Sequence, residues 1–329
     1  MRDPSEPEPI DPGESRLWQP PAWVPPVLLI AIGAAMLIWN PDGWVHPLVD
    51  YGRELYVPWR ITEGEVLYRD IAYFNGPLSP YLNALWFQLF GVSMHVLTIV
   101  NVVIAGGVCA LLYRLLAGIS DRFTATITGA MFLFFFVFQH IDYRGTFNWI
   151  GPYSHEMTHG VGLTILCVWM LMRHLSKPST GMLVGVGLSL GLVFLTKPEI
   201  FIAAGLTTDV AMCADWYRRR QALRTFLREA VIVTVTAFAA PLLAFGLLAS
   251  ALPVGEAIKG VCGGWVYVFQ EELTSLRFYA VGRGTDDLAL SCTKILEWLG
   301  WYLAFVIPGI GLAWLLGEPD RSGHRRPGW

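Results

Sequence analysis

Residues 94–117 read MHVLTIVNVVIAGGVCALLYRLLA, an apolar run whose one formal charge is Arg114. A helix needs about 20 such residues to cross the hydrocarbon core of a bilayer, at 1.5 Å of rise each. Comparable runs occupy roughly 24–39, 123–140, 156–172, 181–196, 200–215, 230–252 and 293–316. Across all 329 residues, 54% are hydrophobic and 15% charged. A soluble domain carries about 25% charged residues, so that class is excluded. The 14 Trp and 18 Phe fit a chain whose rings sit at bilayer interfaces. The expected fold is therefore all-α, a polytopic transmembrane bundle of about eight or nine membrane helices. A net charge of −3 with no basic stripe gives no footprint for nucleic acid.

One short stretch decides the topology. Residues 78–91, LSPYLNALWFQLFG, hold Pro80 and Asn83 and are too short to cross; they predict an interfacial or re-entrant helix. With that helix not crossing, eight spans place both termini inside. Fourteen of the 23 basic residues then fall in short inner segments, including the Arg218–Arg228 run. Letting 78–91 cross would translocate that run, against the positive-inside tendency. Residues 1–20, acidic and Pro-rich, read as a disordered inner tail without a signal peptide; 21–317 form the membrane domain and 318–329 a basic inner tail. The polar regions 40–93, 141–155 and 253–292, with the Lys197-Pro198-Glu199 corner, lie outside, so the chemistry is expected there. None of the five Cys forms a CxxC pair. Cys262 and Cys292 share an outer loop, where a disulfide and two free thiols both stay open.

In the first outer loop, Asp50 and Glu54 stand four apart and share a face if the stretch from 50 to 63 is an interfacial helix. Arg53 offers a guanidinium suited to phosphate, and a carboxylate near an apolar boundary can be tuned towards general-base work. A solvated helix face explains Asp50 and Glu54 equally well. In the second loop, His155-Glu156-Met157-Thr158-His159 matches H-E-x-x-H, with Ser154 as N-cap. On a helix that spacing sets both imidazoles on one face, where they can hold zinc with Glu156 as base. No third ligand stands out beyond Glu199, and the Asp42-Gly43 pair precedes the motif instead of following it. In the third loop, Glu271, Glu272, Asp286 and Asp287 read mostly as solvated charge, and the intramembrane Asp209 has no assigned role.

The order of several further motifs carries a resemblance. The run Tyr68-x-Asp70, then Gly76-Pro77-Leu78 with Tyr81, then Leu89-Phe90-Gly91 follows the first apolar helix and its early acid. With the LTKPE corner at 195–199 and the RFYAVGRGTDD loop at 277–287, it resembles bacterial members of the GT-C superfamily. These membrane glycosyltransferases are related to protein O-mannosyltransferases and the aminoarabinose transferase of lipid A. The resemblance implies inverting transfer of a sugar from a polyprenyl-phosphate donor to an acceptor hydroxyl on a glycan, lipid or protein, outside the inner membrane. It maps the family's first-loop acid onto Asp50, as general base, and its second onto Asp142 or Glu156. Arg53, Lys197 and Arg277 or Arg283 become phosphate contacts, although membrane-interface snorkelling accounts for Lys197 as well. Glu54, Asp70, Asp142, His155, Glu156 and Glu199 complete the implied substrate-binding set. The alternatives are a zinc-dependent membrane metalloprotease using His155, Glu156 and His159, or a non-catalytic lipid-linked-sugar binding protein. A divalent metal on those three residues is the milder form of the first. Full-length relatives continue through further helices, so a truncated or compact form is expected.

Overall fold

In the computed structural model the described residues are 20–40, 43–45, 48, 51–139, 148–268, 277, 280–281 and 284–316. They are helical with no strand among them; an isolated bridge between Leu67 and Ile71 is the nearest approach to one. The chain divides into two units, the first ending at Gly263 and the second beginning at Gly264.

The first unit holds α1 (Val24–Trp39), α2 (Gly52–Thr62), α3 (Leu78–Phe90), α4 (Met94–Ile119), α5 (Arg122–Phe132, continued by a π-helical turn Leu133–Val137) and α6 (His155–Ser176). Then come α7 (Thr180–Phe194), α8 (Pro198–Arg219), α9 (Leu223–Ala237), α10 (Ala239–Ala249) and α11 (Val254–Cys262). The second holds α12 (Trp265–Val268) and α13 (Leu288–Leu316).

Local chemistry sets the boundaries. Pro25 and Pro26 open α1 and Pro198 opens α8, at positions whose N–H would have no partner anyway. Ser93 caps α4 by accepting the His95 N–H, and Asp121 caps α5 by accepting the Thr124 N–H at 2.9 Å. Gly91, at φ 88°, lets the chain leave α3 in a conformation disfavoured for other residues. The 230–252 run forms two helices, α9 and α10, broken at Phe238. Pro241 explains the break, because its ring conflicts with the carbonyl of residue 237 and it lacks an N–H. The displaced Ala237 carbonyl lies where only a glycine fits: a Cβ on Gly191 would sit 2.2 Å from it. Gly187 meets Val233 and Thr236 in the same way, so the small-residue face of 181–191 makes the close α7–α9 contact its composition suggests.

α6 packs against α7, α8 and α4, and α7 against α9. One core gathers Cys167, Leu171, Val186, Leu190 and Val193, while Leu29, Ala105, Val108 and Phe132 form another between α1, α4 and α5. Large apolar side chains remain outward, such as Val103 at 68% and Leu243 at 66% exposed, as lipid-facing positions require. Met94–Ile119, Leu223–Ala249 and Leu288–Pro308 are long and apolar enough to cross a membrane, and Val24–Trp39, Arg122–Val137 and Thr180–Phe194 are shorter apolar helices. α6 and α8, with 22 residues each, reach the length but not the apolarity. Polar groups in the first turn of α6 and at the last of α8 lower their mean hydropathy. Among the described residues all five cysteines are free.

Candidate functional site

Where α2, α3 and the first turn of α6 meet, the first unit buries an unusual amount of polarity. Glu54, Asn75, Ser79, Asn101, Ser154, His155, Glu156 and His159 are all under 6% exposed. Such burial is tolerable only when nearly every polar atom has a partner.

Glu54 stands at the centre. Its Oε1 accepts from Arg53 Nε at 3.0 Å and Nη2 at 2.8 Å. Its Oε2 accepts the His155 backbone N–H at 2.9 Å and His155 Nδ1 at 2.7 Å. The carboxylate therefore caps α6 in place of Ser154, at the positive end of the helix dipole. Burial pushes the Glu54 carboxyl up, but the His155 imidazole and the Arg53 guanidinium outweigh it and hold the group below the usual carboxylate range. On the far side of the ring, Asn101 Nδ2 reaches both the Ile150 carbonyl at 3.0 Å and His155 Nε2 at 3.1 Å. A carbonyl demands a donor, so the Asn101 amide nitrogen faces the ring; Nε2 accepts and Nδ1 carries the proton.

Glu156 points the other way. Ser154 Oγ donates to its Oε2 at 2.7 Å, Asn75 Nδ2 at 3.3 Å, and the Tyr73 hydroxyl donates to Oε1. Burial, then the carboxylates of Glu156 and Glu54, raise the Tyr73 phenol well above its ordinary 10.0, which keeps it a donor. Tyr73 and Asn75 are delivered by the 66–76 loop. Leu67 and Ile71 anchor that loop, Asp70 accepts the Val66 N–H at 2.8 Å, and Tyr68 Oη donates to the Asn75 carbonyl at 2.7 Å. The loop then docks on the α7–α8 corner. Gly76 N–H donates to the Thr196 carbonyl at 3.1 Å, and Leu78 N–H to that of Leu195 at 3.2 Å. A Cβ on Gly76 would lie 2.1 Å from the Leu195 oxygen, so the glycine of the Gly-Pro-Leu motif is a steric necessity.

The same corner presents Lys197. Its Nζ lies 3.4 Å from Tyr153 Oη and 5.1 Å from that ring's centre. Arg53 Nη2 donates to the Tyr153 carbonyl at 2.9 Å, and its guanidinium lies 5.3 Å from the centre of the Phe74 ring. Two cations thus flank one residue. Arg53 keeps 30% of its side chain exposed, and Lys197 is half-buried with no carboxylate partner among the described residues.

Of the residues singled out from sequence, Arg53, Glu54, His155, Glu156 and Lys197 come together here. Asp70 is exposed, paired with Arg69 and tied to its own loop, and Glu199 is exposed in the first turn of α8. Asp50 and Asp142 lie outside the described residues, as do Glu271, Glu272 and Arg283. The H-E-x-x-H spacing does bring the two imidazoles together, with ring centres 5.4 Å apart. Yet both His155 nitrogens and both Glu156 oxygens are engaged, and His159 Nδ1 pairs with Ser79 at 3.0 Å. No group of three His, Cys, Asp or Glu among the described residues is placed to hold a metal ion. Sequence reading missed Tyr73, Asn75, Asn101 and Tyr153. The Gly-Pro-Leu motif, by position, could have pointed to Asn75, but an amide on α4 carries no such signal.

A family model described as dolichyl-phosphate-mannose-protein mannosyltransferase matches residues 75–245, just over half of the chain. That span includes Asn75, Gly76, the first turn of α6 and Lys197. No curated protein matches, and no solved structure does.

Proposed function

The chain belongs to the dolichyl-phosphate-mannose-protein mannosyltransferase family of membrane glycosyltransferases, and from that premise we propose that it moves a sugar from a polyprenyl-phosphate donor to an acceptor hydroxyl where Arg53 and Lys197 flank Tyr153. The carrying observation is that pair of cations. Lys197 has no carboxylate partner among the described residues and stands at the N-terminus of α8, where the helix dipole adds positive charge. A phosphate leaving group needs such an environment, fixed before the reaction starts.

The acceptor oxygen attacks the anomeric carbon on the face opposite the phosphate. The bond from that carbon to the phosphate oxygen breaks and its electron pair leaves with the polyprenyl phosphate, so the configuration inverts. The acceptor proton passes to a carboxylate. Glu54, Glu156 and Asp70 suit that role poorly, since their oxygens are already engaged by donors. We assign the base to Asp50, onto which the resemblance maps the family's first-loop acid, three positions before Arg53 in the sequence. Glu54 and His155 are positioning residues that hold Arg53 and the first turn of α6. The family's description names dolichyl-phosphate mannose and a protein, so mannose is the first donor sugar to assay and a protein hydroxyl the first acceptor. The positive-inside pattern supports a site on the outer face.

The test is transfer of labelled sugar from polyprenyl-phosphate mannose in membranes holding the full chain. Arg53→Gln and Lys197→Gln are each expected to lower turnover by about 100-fold, the usual cost of one transition-state donor. Wild-type turnover in both variants would reject the site.

A further inference from the structure

A second built feature runs from the opposite end of the bundle, at Arg114, as far as Ile150 beneath the site. α1, α4 and the π-helical turn after α5, with Phe138 and Ile150, line a half-open apolar cavity of about 710 Å³, given room by Gly33 and Ala34 on α1 and by Ala105, Gly106 and Ala110 on α4. The π-helical turn after α5 supplies Leu133 and Val137 to its wall. Such turns bulge a helix outward and recur at binding sites. Along α4 the cavity extends from Val102 to Arg114, about 18 Å at helical rise. One leaflet of hydrocarbon is about 15 Å deep.

Arg114 also lines a second cavity of about 440 Å³, shared with Trp169, Met172, Arg173 and Ser176 at the ends of α4 and α6. Neither Arg114 nor Arg173 has a side-chain partner among the described residues. The nearby acid Asp121 is engaged with the N–H and hydroxyl of Thr124 and with Ser120. Two unpaired guanidinium groups beside an apolar slot one leaflet long are complementary to one kind of molecule.

We propose that these cavities form a site for an anionic glycerophospholipid, with its phosphate between Arg114 and Arg173 and one acyl chain in the α1–α4–α5 cavity. Length selects the occupant: a chain entering beside Arg114 ends within a single leaflet. A donor held by phosphate at Lys197 is anchored at the His155 end of α6, the other end from Arg173. Charge selects the headgroup, because two cations discriminate a net negative lipid from a zwitterionic one. Snorkelling alone would place arginines at this level but would not build a cavity between them.

The test uses the full chain in detergent, with its thermal unfolding midpoint followed against added phosphatidylglycerol, phosphatidylcholine and inorganic phosphate. A ligand that binds the folded form raises the midpoint with concentration. Phosphatidylglycerol is expected to raise it, phosphatidylcholine far less, and phosphate not at all. Replacing Arg114→Gln and Arg173→Gln, both exposed, should weaken the apparent phosphatidylglycerol affinity by about fivefold per arginine. Gly106→Leu, at a position with open space beyond its Cα, should weaken it by filling the slot while leaving both arginines. An equal response to both lipids, an unchanged response in the double variant, or full reproduction by inorganic phosphate would each overturn the proposal. Sugar transfer is not read, so failure here is separable from failure of the catalytic reading.

Discussion

Gly76→Ala tests how the site is held together. The added Cβ would lie 2.1 Å from the Leu195 oxygen and 2.4 Å from its carbon, both backbone atoms that no rotamer change can remove. Relief requires the loop and the α7–α8 corner to part by about 1.3 Å or more before the contact becomes ordinary. That parting strains both hydrogen bonds joining them, Gly76 to Thr196 and Leu78 to Leu195. Two backbone bonds at about 1 kcal/mol each put the loss near 2 kcal/mol, rising to about 4 if the freed groups stay dry. Lys197 follows Thr196 directly, so the same displacement moves a proposed phosphate contact, and a shift of about 1 Å can cost roughly 100-fold in rate. The assay pairs the thermal midpoint in detergent with sugar transfer per folded molecule. Gly106→Ala serves as the control: nothing lies within 4 Å of its Cβ, so neither readout should fall below wild type, and stability gains at most about 1 kcal/mol of helix propensity. If Gly76→Ala keeps wild-type stability and turnover while the control does too, the docked loop is not what positions Lys197.

Two further outcomes follow from the buried cluster. Glu54 has an ordinary pKa of 4.5 and is held below it in the fold, so its contribution is complete above 4.5 and is lost as pH falls through the lowered value. Unfolding midpoints measured from about pH 3 to 7 should therefore fall more steeply on the acid side for the wild type than for Glu54→Gln, and parallel curves would contradict the assignment. Because His155 and Glu156 have their donors and acceptors engaged within the protein, elemental analysis of the purified chain should find no stoichiometric zinc. One zinc per chain, lost on His159→Ala, would restore the metalloprotease reading.

The helices were largely legible because a bilayer imposes a simple length rule. The run at 78–91 became α3 at 78–90, and 24–39 became α1 without change. Ser154 does precede α6, yet its hydroxyl turns to Glu156 and a carboxylate from α2 caps the helix instead. No local pattern announces a cap that arrives from 101 residues away. The α9–α10 break was legible in principle from Pro241, but the apolar run around it dominates a reading by hydropathy. The same contrast holds in the site. Charged residues in an otherwise apolar chain stand out, which is why Arg53, Glu54, Glu156 and Lys197 were visible. Their partners Tyr73, Asn75 and Asn101 are ordinary residues given meaning only by tertiary contact.

Proteoliposomes containing the full chain, supplied with polyprenyl-phosphate mannose and an acceptor peptide, give the most direct measurement. Wild type and Asp50→Asn are compared for turnover and, separately, for donor binding. Loss of a general base lowers the rate by about 10²–10⁴, so the variant should bind donor as the wild type does while transferring sugar at least about 100-fold more slowly. Turnover near the wild-type rate in Asp50→Asn would contradict the assignment of that carboxylate, and with it the catalytic account of this end of the bundle.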